Sequence, residues 1–586
     1  LSSAASDVYK RQITGQLYRQ FTITIAVSVL LSTVVALTLS PVMCSLILKP
    51  DSGKKKNIVF RKINEWLNLG NHKYVAVINR VIRNPRRLMS AFGLVLVAIF
   101  IIHRLVPTSF LPVEDQGYFK IELELPEGAT LERTRVVTDR AVQYLEKNPY
   151  VAYVQNVTGS SPRVGSNQAR SELTVILKPW EERKGISIDK IMENVEQDLK
   201  EYPECKVYLS TPPVIPGLGT SGGFEMQLEA RGEATFDNLV QAADTLMYYA
   251  QKHKELTGLS SSLQSEIPQL YFDVDRDKVK MLGVPLADVF STMKAYTGSV
   301  YVNDFNMFNR IYKVYIQAEA PYREHKDNIN LFFVKAKDGV MVPLTSLGNA
   351  SYTTGPGSIK RFNMFTTAVI RGSAAQGYSS GQAMEIMEQI ARNHLPDNIG
   401  LEWSGLSYQE KKAGGQTGLV LTLVFLFVFL FLAAQYESWT VPIAVLLSLP
   451  VAALGAYLGV VICGLENDIY FQIGLVMLVG LAAKNAILIV EFAKVQVDKG
   501  GDLIQSAIHA AQLRFRPILM TSLAFVLGML PMVLASGPGS ASRQAIGTGV
   551  FFGMIFAIVF GIVLVPFFFV LVYKTKAKVQ HKIKKD

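Results

Sequence analysis

Seven apolar stretches constrain the fold of this chain more than any other feature. Each has about the 20 residues that an α-helix needs to cross a bilayer. They are 21–48, 88–106, 418–434, 441–463, 469–493, 517–535 and 545–572. Of the 586 residues, 49% are hydrophobic and 18% are charged, less charge than a soluble globular domain carries. The sequence therefore predicts an α-helical membrane bundle of seven spans, with a large non-membrane region between the second and the third.

Basic residues beside these stretches predict the orientation of the chain. Lys54, Lys55 and Lys56 follow the first stretch, and Lys574 and Lys576 begin a basic tail after the last. Because basic loops mark the cytoplasmic side, we expect the loop 49–87 and the tail to be cytoplasmic and the large region to lie outside. Apolar residues in the loop recur at helical spacing, which fits either a helix lying in the inner interface or one packed against the spans.

The large outer region alternates strands and helices in the order βαββαβ of the ferredoxin-like unit. In the first unit the expected elements are strand 118–125, helix 131–147, strands 151–157 and 173–177, helix 188–199 and strand 206–209. In the second they are strand 224–230, helix 236–254 and strand 269–275, followed after an insertion by strand 362–370, helix 381–393 and strand 400–403. We expect the insertion to be a domain of its own.

Lys484 lies in the middle of the fifth stretch without an acidic partner nearby in the sequence. A charged side chain at the bilayer centre costs about 2.5–3.5 kcal/mol on insertion scales, so it normally faces a partner or a water-filled path. Asn485 follows it, and the next stretch begins near Arg514 and reaches Thr521. These four residues are predicted to form one side of a charge relay. The structural alternatives are snorkelling of the lysine, a hydrogen bond of the asparagine between helices, anchoring by the arginine and hydrogen bonding of the threonine to its own helix.

Two long motifs connect these residues with a known family. They are GLAAKNAILIVEFAK from Gly480 and RFRPILMTSLAF from Arg514, and the shorter segments FLPVEDQG from Phe110, YVNDF from Tyr301 and YQE from Tyr408 accompany them. With the spans and loop sizes, the chain closely resembles the resistance-nodulation-division (RND) exporters, specifically the hydrophobe/amphiphile multidrug efflux transporters of Gram-negative inner membranes.

The resemblance implies twelve spans in the whole protein, of which this chain has the sixth onward, the C-terminal half. In the family, two aspartates on the fourth span take up the proton, and the residues matching Lys484, Asn485, Arg514 and Thr521 complete or assist the relay. No adjacent aspartate pair occurs in this sequence. The resemblance therefore implies that the proton acceptor belongs to a missing N-terminal half of the same pump.

The resemblance also divides the chain into regions with expected roles. These are an atypical, artefactual start (1–13), span 6 (14–48), a cytoplasmic interfacial helix (49–87), span 7 (88–106), one porter subdomain (107–215), a second porter subdomain (216–275 and 361–412), a docking domain (276–360), spans 8–12 (413–573) and a basic cytoplasmic tail (574–586). It implies drug/proton antiport by a homotrimer with a periplasmic adaptor and an outer-membrane channel. It implies no cofactor other than the proton gradient and no enzymatic activity.

A substrate pathway is expected through the cleft between the porter subdomains. The candidate residues are Glu122, Glu124, Ser160, Arg163, Gln168, Tyr208 and Ser210. The segment 158–170 matches a flexible family loop but has no phenylalanine. Two glutamates at period two on one strand indicate a preference for cationic amphiphiles, with solvated strand carboxylates as the alternative.

Three other functions remain open from the sequence. A heavy-metal exporter of the same superfamily needs Met or Cys ligands that converge, whereas Cys205, Met226 and Met247 are scattered. A protein-export accessory subunit has a related membrane core but a smaller outer region. An inactive fragment without a proton acceptor is the third.

Overall fold

A computed structural model of the protein describes residues 13–47, 58–161, 165–183, 185–200, 202–219, 222–263, 265–375, 377–414 and 417–583. The helices are α1 (Ile13–Leu37), α2 (Leu39–Ile47), α3 (Ile58–Arg83), α4 (Pro85–Leu105), α5 (Leu131–Glu146), α6 (Ile188–Leu199), α7 (Phe236–Ala250), α8 (Arg276–Met281), α9 (Leu286–Met293), α10 (Ser380–His394), α11 (Gly405–Gly414), α12 (Thr417–Tyr436), α13 (Val441–Leu446), α14 (Leu449–Cys463), α15 (Ile469–Asp498), α16 (Leu503–Val533), α17 (Ser540–Phe556) and α18 (Ile562–Ile583). The strands are β1 (Tyr118–Glu124), β2 (Val151–Ser161), β3 (Gly165–Leu177), β4 (Lys206–Ser210), β5 (Phe224–Ala230), β6 (Leu256–Ser261), β7 (Ile267–Val274), β8 (Val300–Met307), β9 (Arg310–Ile316), β10 (Phe333–Lys335), β11 (Met341–Pro343), β12 (Gly348–Gly355), β13 (Lys360–Phe362), β14 (Phe365–Ala374) and β15 (Ile399–Trp403).

The seven predicted spans are confirmed as apolar helices, within the part of the chain that the structure describes. They are Ile13–Ile47, Pro85–Leu105, Gly418–Tyr436, Val441–Cys463, Ile469–Asp498, Leu503–Val533 and Ser540–Ala577. The sixth helix begins 14 residues before the predicted start at Pro517. It continues through that proline because Ser506, Ala507 and Ala510 already pack in the bundle and hold the preceding turns.

Glycines bring the central spans of the bundle into close contact. Helices α14 and α17 meet at Gly455 and Gly459, where an added Cβ would lie 2.6 Å from the side chains of Phe556 and Phe552 respectively. The spacing of these two glycines is the small-xxx-small pattern that lets membrane helices approach closely. The bundle core therefore depends on backbone proximity as well as on large side chains.

The first outer unit is a four-stranded antiparallel sheet in the order β2-β3-β1-β4, with α5 and α6 packed on one face. Phe119, Ile121 and Leu123 alternate on β1 and point toward those helices. Polar side chains therefore occupy the other face of the same strand.

The second outer unit has the order β6-β14-β5-β15 and carries α7 and α10 on its apolar face. The strand expected over 269–275 was assigned wrongly to this sheet. It is part of β7, which pairs with β12 in the insertion, and the glycine-containing strand β6 takes its place. The strand expected over 362–370 begins at Phe365, because Asn363 and Met364 adopt positive φ and form a turn between β13 and β14.

The insertion carries separate two-stranded ladders, β7–β12, β8–β9 and β10–β11, beside a small core that includes Val289, Leu344 and Leu347. Helix α3 packs on the membrane bundle. Tyr74 stacks on Phe515 at 4.7 Å and donates a hydrogen bond to the Ile562 carbonyl at 2.8 Å.

Candidate functional site

Helices α15 and α16 carry the four predicted relay residues and contact each other at one of them. The side chain of Asn485 is buried and donates a hydrogen bond to the Ser522 hydroxyl at 3.0 Å. A polar bond between spans fixes the rotation of both helices, because each group would otherwise be unsatisfied in an apolar surrounding. Ser522 was missed from the sequence, where a serine in an apolar run gives no signal of its own.

Lys484 lies on the exposed side of α15, one position before Asn485. No hydrogen bond or ion pair joins its ammonium group to the residues that the structure describes. The cation is therefore presented outward from this bundle, toward whatever covers that face.

Thr521 is also exposed, and its hydroxyl donates to the carbonyls of Pro517 and Ile518, each at 3.1 Å. This is the backbone hydrogen bonding expected of a membrane-helix threonine. A role of Thr521 in the relay stays a prediction.

Arg514 is partly buried and stacks on an aromatic ring. Its guanidinium carbon lies 4.4 Å from the ring centroid of Phe492 on α15, and its Nε has no hydrogen-bond partner among the described residues. Its neighbour Arg516 points elsewhere and donates to Asn64 of α3 at 2.8 Å. Arg514 is therefore oriented toward α15, whereas Arg516 is bonded to α3.

The polar face of the first outer sheet contains the predicted glutamates. Arg170 is 4% exposed and its Nη1 lies 3.0 Å from Glu122 and 3.1 Å from Glu124. Glu127 is 3.8 Å from the same guanidinium, and Ser161 donates to Glu122 at 2.5 Å. One guanidinium cannot offset three carboxylates, so this face keeps a net negative charge. The solvated alternative does not describe Glu122, which is buried.

The other described pathway candidates lie on β4 and on the β2–β3 pair. Tyr208 and Ser210 are on β4, opposite Glu122 and Lys120 respectively, so they share the polar face. Ser160 pairs with Ser166 near the tip of the β2–β3 hairpin, and the backbone carbonyl of Gln168 accepts a hydrogen bond from Thr134. Arg163 lies outside the described residues. Residues 158–161 and 165–170 of the expected loop lie in the paired strands β2 and β3.

A cluster of carboxyl groups near the outer ends of the spans was not predicted. Burial raises the pKa of Glu410 from its ordinary value to about 7, and it accepts a hydrogen bond from Ser380 at 2.7 Å. Burial likewise raises the pKa of Asp468 to about 7, although this carboxylate caps α15 by accepting from the Phe471 amide. A cavity of about 370 Å³ borders Glu410 and also contacts His103, whose Nδ1 is 3.1 Å from the Tyr457 hydroxyl.

The FLPVEDQG motif joins the outer region to the bundle. Glu114 accepts hydrogen bonds from the backbone amides of Ala541 and Ser542, at 3.3 and 2.9 Å, in the first turn of α17. A carboxylate there stabilises the positive end of the helix dipole. Asp115 pairs with buried Arg183 at 2.7 Å. The motif is thus explained by contacts within this chain.

Among the residues that the structure describes, there is no group of three or more His, Cys, Asp or Glu side chains that could hold a metal ion.

Comparison with known proteins identifies the family. Residues 11–573 match the AcrB/AcrD/AcrF family. The chain is 39% identical over 566 residues to the multidrug/solvent efflux pump membrane transporter MepB of Pseudomonas putida and to the multidrug resistance protein MdtF of Escherichia coli strain K12, covering 95% of this chain and 54% of each relative. It is 37% identical over 568 residues to the multidrug export protein AcrF of the same E. coli strain, covering 95% of this chain and 55% of that protein. The chain spans about half the length of the curated relatives that it matches. It belongs to the AcrB/AcrD/AcrF family of membrane transporters.

Proposed function

We propose that this chain is part of a proton-driven RND exporter of hydrophobic and amphiphilic compounds. The observation that carries the proposal is the family match over residues 11–573, together with relatives whose names describe multidrug and solvent efflux. A secondary transporter of this kind moves its substrate against a gradient without covalent catalysis.

In the proposed mechanism Lys484 is the cation that responds to proton uptake. Its outward placement on α15 suits an acidic partner supplied by sequence outside this chain, which we infer to be the aspartate pair of an N-terminal half. Ionised carboxylates attract the ammonium, and their protonation removes this attraction. The helix pair α15–α16, joined by Asn485 and Ser522, then shifts between two arrangements, with Arg514 and Thr521 assisting.

We further infer that the two outer units are ferredoxin-like porter subdomains and that the insertion is a docking domain. Support comes from the sheet orders β2-β3-β1-β4 and β6-β14-β5-β15, each with two helices on one face. The proposal places the outer region in the periplasm and the C-terminus in the cytoplasm of a Gram-negative cell. Its partners would be a periplasmic adaptor, an outer-membrane channel and two further copies of the protomer.

The proposed substrates are amphiphiles, and a preference for cationic ones stays a prediction. A substrate cation would compete with the buried guanidinium of Arg170, but that guanidinium offsets only one of the two charges of Glu122 and Glu124. The polar sheet face with Tyr208 and Ser210 remains the proposed lining of the pathway.

Dye efflux from cells tests the proposal directly. We would express the chain alone and together with the N-terminal half of MdtF, in cells lacking their own pumps, and measure accumulation of a fluorescent dye. We expect export only from the pair, and we expect Lys484→Met to abolish it. Lys499→Met, at the end of the same helix, is the matched control and should retain export. Export by the chain alone, or undiminished export by Lys484→Met, would contradict the mechanism.

A further inference from the structure

Helix α3 has one face packed on the bundle. Tyr74, Ile78 and Ile82 are buried against it, and Leu67 is buried on the same side of the helix. The Tyr74 bond to the α18 backbone and the Arg516–Asn64 bond hold the helix in place. The rotation of α3 about its own axis is therefore fixed, and so is the set of residues that it presents on the opposite side.

The opposite side carries a single stripe of alternating basic and apolar residues. It consists of Lys62, Trp66, Leu69, Lys73, Val77 and Arg80, spaced four, three, four, four and three residues apart. This spacing keeps all six on one face of an α-helix. The three apolar members are 62%, 55% and 43% exposed, and the three basic members are exposed as well. We call these six residues the α3 stripe.

The position of α3 places the stripe at the level where the spans end. The helix stops at Arg83, and the span α4 begins at Pro85, so only Asn84 separates them. Arg86 and Arg87, in the first turn of α4, are exposed too. The C-terminal end of α3 therefore lies at the end of this span, and Asn64 near its other end is bonded to Arg516, beside the proline at which another apolar stretch begins.

The charge of the helix is strongly positive. It contains five arginine or lysine residues and one acid, Glu65. That acid lies off the stripe and pairs with Arg61 at 3.6 Å, with both side chains about two-thirds exposed. Glu65 lies one turn from Lys62, whereas Lys73 and Arg80 have no acid of their own helix beside them.

We propose that the α3 stripe is a binding surface for anionic phospholipid headgroups. Trp66, Leu69 and Val77 would enter the acyl boundary, where tryptophan is favoured. Lys62, Lys73 and Arg80 would reach the phosphates beside them, with their aliphatic stems lying along the apolar residues. This inference goes beyond the proposed transport function and holds whatever the pump exports.

Tryptophan quenching by lipid provides the test. The full chain is reconstituted in phosphatidylcholine vesicles that contain a minor fraction of bromine-labelled phosphatidylglycerol or, in parallel, of bromine-labelled phosphatidylcholine. Because Trp439 is also exposed beside a span, all samples carry Trp439→Phe. The signal of Trp66 is the difference between this background and the same chain with Trp66→Phe.

We expect stronger quenching of Trp66 by the anionic label. Each basic side chain near an anionic surface raises the affinity for that surface by about fivefold. The triple variant Lys62→Gln/Lys73→Gln/Arg80→Gln should therefore lose most of the preference, by about a hundredfold if the three act independently. The control Lys254→Gln/Lys280→Gln/Lys337→Gln removes the same charge from exposed sites in the outer region and should keep the preference.

Three results would overturn the inference. Equal quenching by both labels would show apolar insertion without headgroup selection. Quenching by neither label would show that protein covers the stripe, either a second copy or sequence outside this chain. An unchanged preference in the triple variant would show that other cations select the lipid.

Discussion

Replacing Arg170 by methionine removes the cation at the centre of the polar face of the first outer sheet. Its guanidinium is 4% exposed, and the side chain of Glu122 is 7% exposed at a distance of 3.0 Å. Breaking a buried ion pair by removing one partner costs about 3–5 kcal/mol, because the remaining charge is left uncompensated in a poorly solvated place. Glu122 keeps the Ser161 hydroxyl, so we expect a value near the lower end of that range.

A second ion pair in the same unit serves as the control. Arg140 and Glu204 are 2.7 Å apart, but their side chains are 48% and 38% exposed. Exposed pairs of this kind contribute about 0–1 kcal/mol. Arg140→Met therefore removes an ion pair of even shorter distance, and the two variants differ mainly in burial.

Hydrogen–deuterium exchange of the full chain in detergent measures the local opening free energies of β1 and β3. We expect Arg170→Met to lower them far more than Arg140→Met. Adding Glu122→Gln to Arg170→Met should restore part of the loss, because the uncompensated charge is gone. Equal effects of the two single variants, or no restoration in the double variant, would refute the argument that burial of this pair matters.

The remaining predictions concern the bundle and its junction with the outer region. Burial raises the pKa of Glu410 to about 7, so the fold is most stable while this group is protonated and loses stability as the pH rises from about 4.5 through 7. The loss is at most about 3 kcal/mol. Thermal unfolding compared at pH 5 and pH 8 should show it in the unsubstituted chain and not in Glu410→Gln. Gly455→Ala should lower the unfolding free energy by about 1–3 kcal/mol, because its Cβ would lie 2.6 Å from Phe556. The control Gly480→Ala, with nothing within 4 Å of the added Cβ, should leave the unfolding midpoint unchanged. Glu114→Gln should lower the opening free energy of the first turn of α17 by about 1 kcal/mol, so the amides there should exchange faster. Unchanged exchange would contradict the role of Glu114 as a helix cap.

The spans and most strands of the outer units could be predicted because their signals are local. A run of about 20 apolar residues has few alternatives to a membrane helix. Alternation of polar and apolar residues likewise identifies a half-buried strand such as β1. Strand β6 escaped prediction because its short sequence, LTGLSS, has neither strong alternation nor the aromatic and β-branched apolar residues typical of strands. The start of α16 escaped because a proline normally ends a helix, and only packing around the preceding turns overrides that tendency.

The candidate site was predicted one residue at a time, and its contacts were not. Lys484 stood out because a charge at membrane depth is costly wherever it points. That Asn485 meets Ser522, and that Arg514 lies on Phe492, depends on how α15 and α16 are rotated against each other.

The sequence alone determined where this protein can cross a membrane and which charges need an explanation, since both follow from the cost of placing each residue in hydrocarbon. Only the tertiary structure decided which of these charges have an ion-pair partner within the chain. Glu122 and Arg170 are 48 residues apart in the sequence and 3.0 Å apart in the sheet. Electrostatic energy depends on distance and burial in three dimensions, so no local pattern could distinguish the paired carboxylates of the sheet from the outward-facing lysine of the bundle.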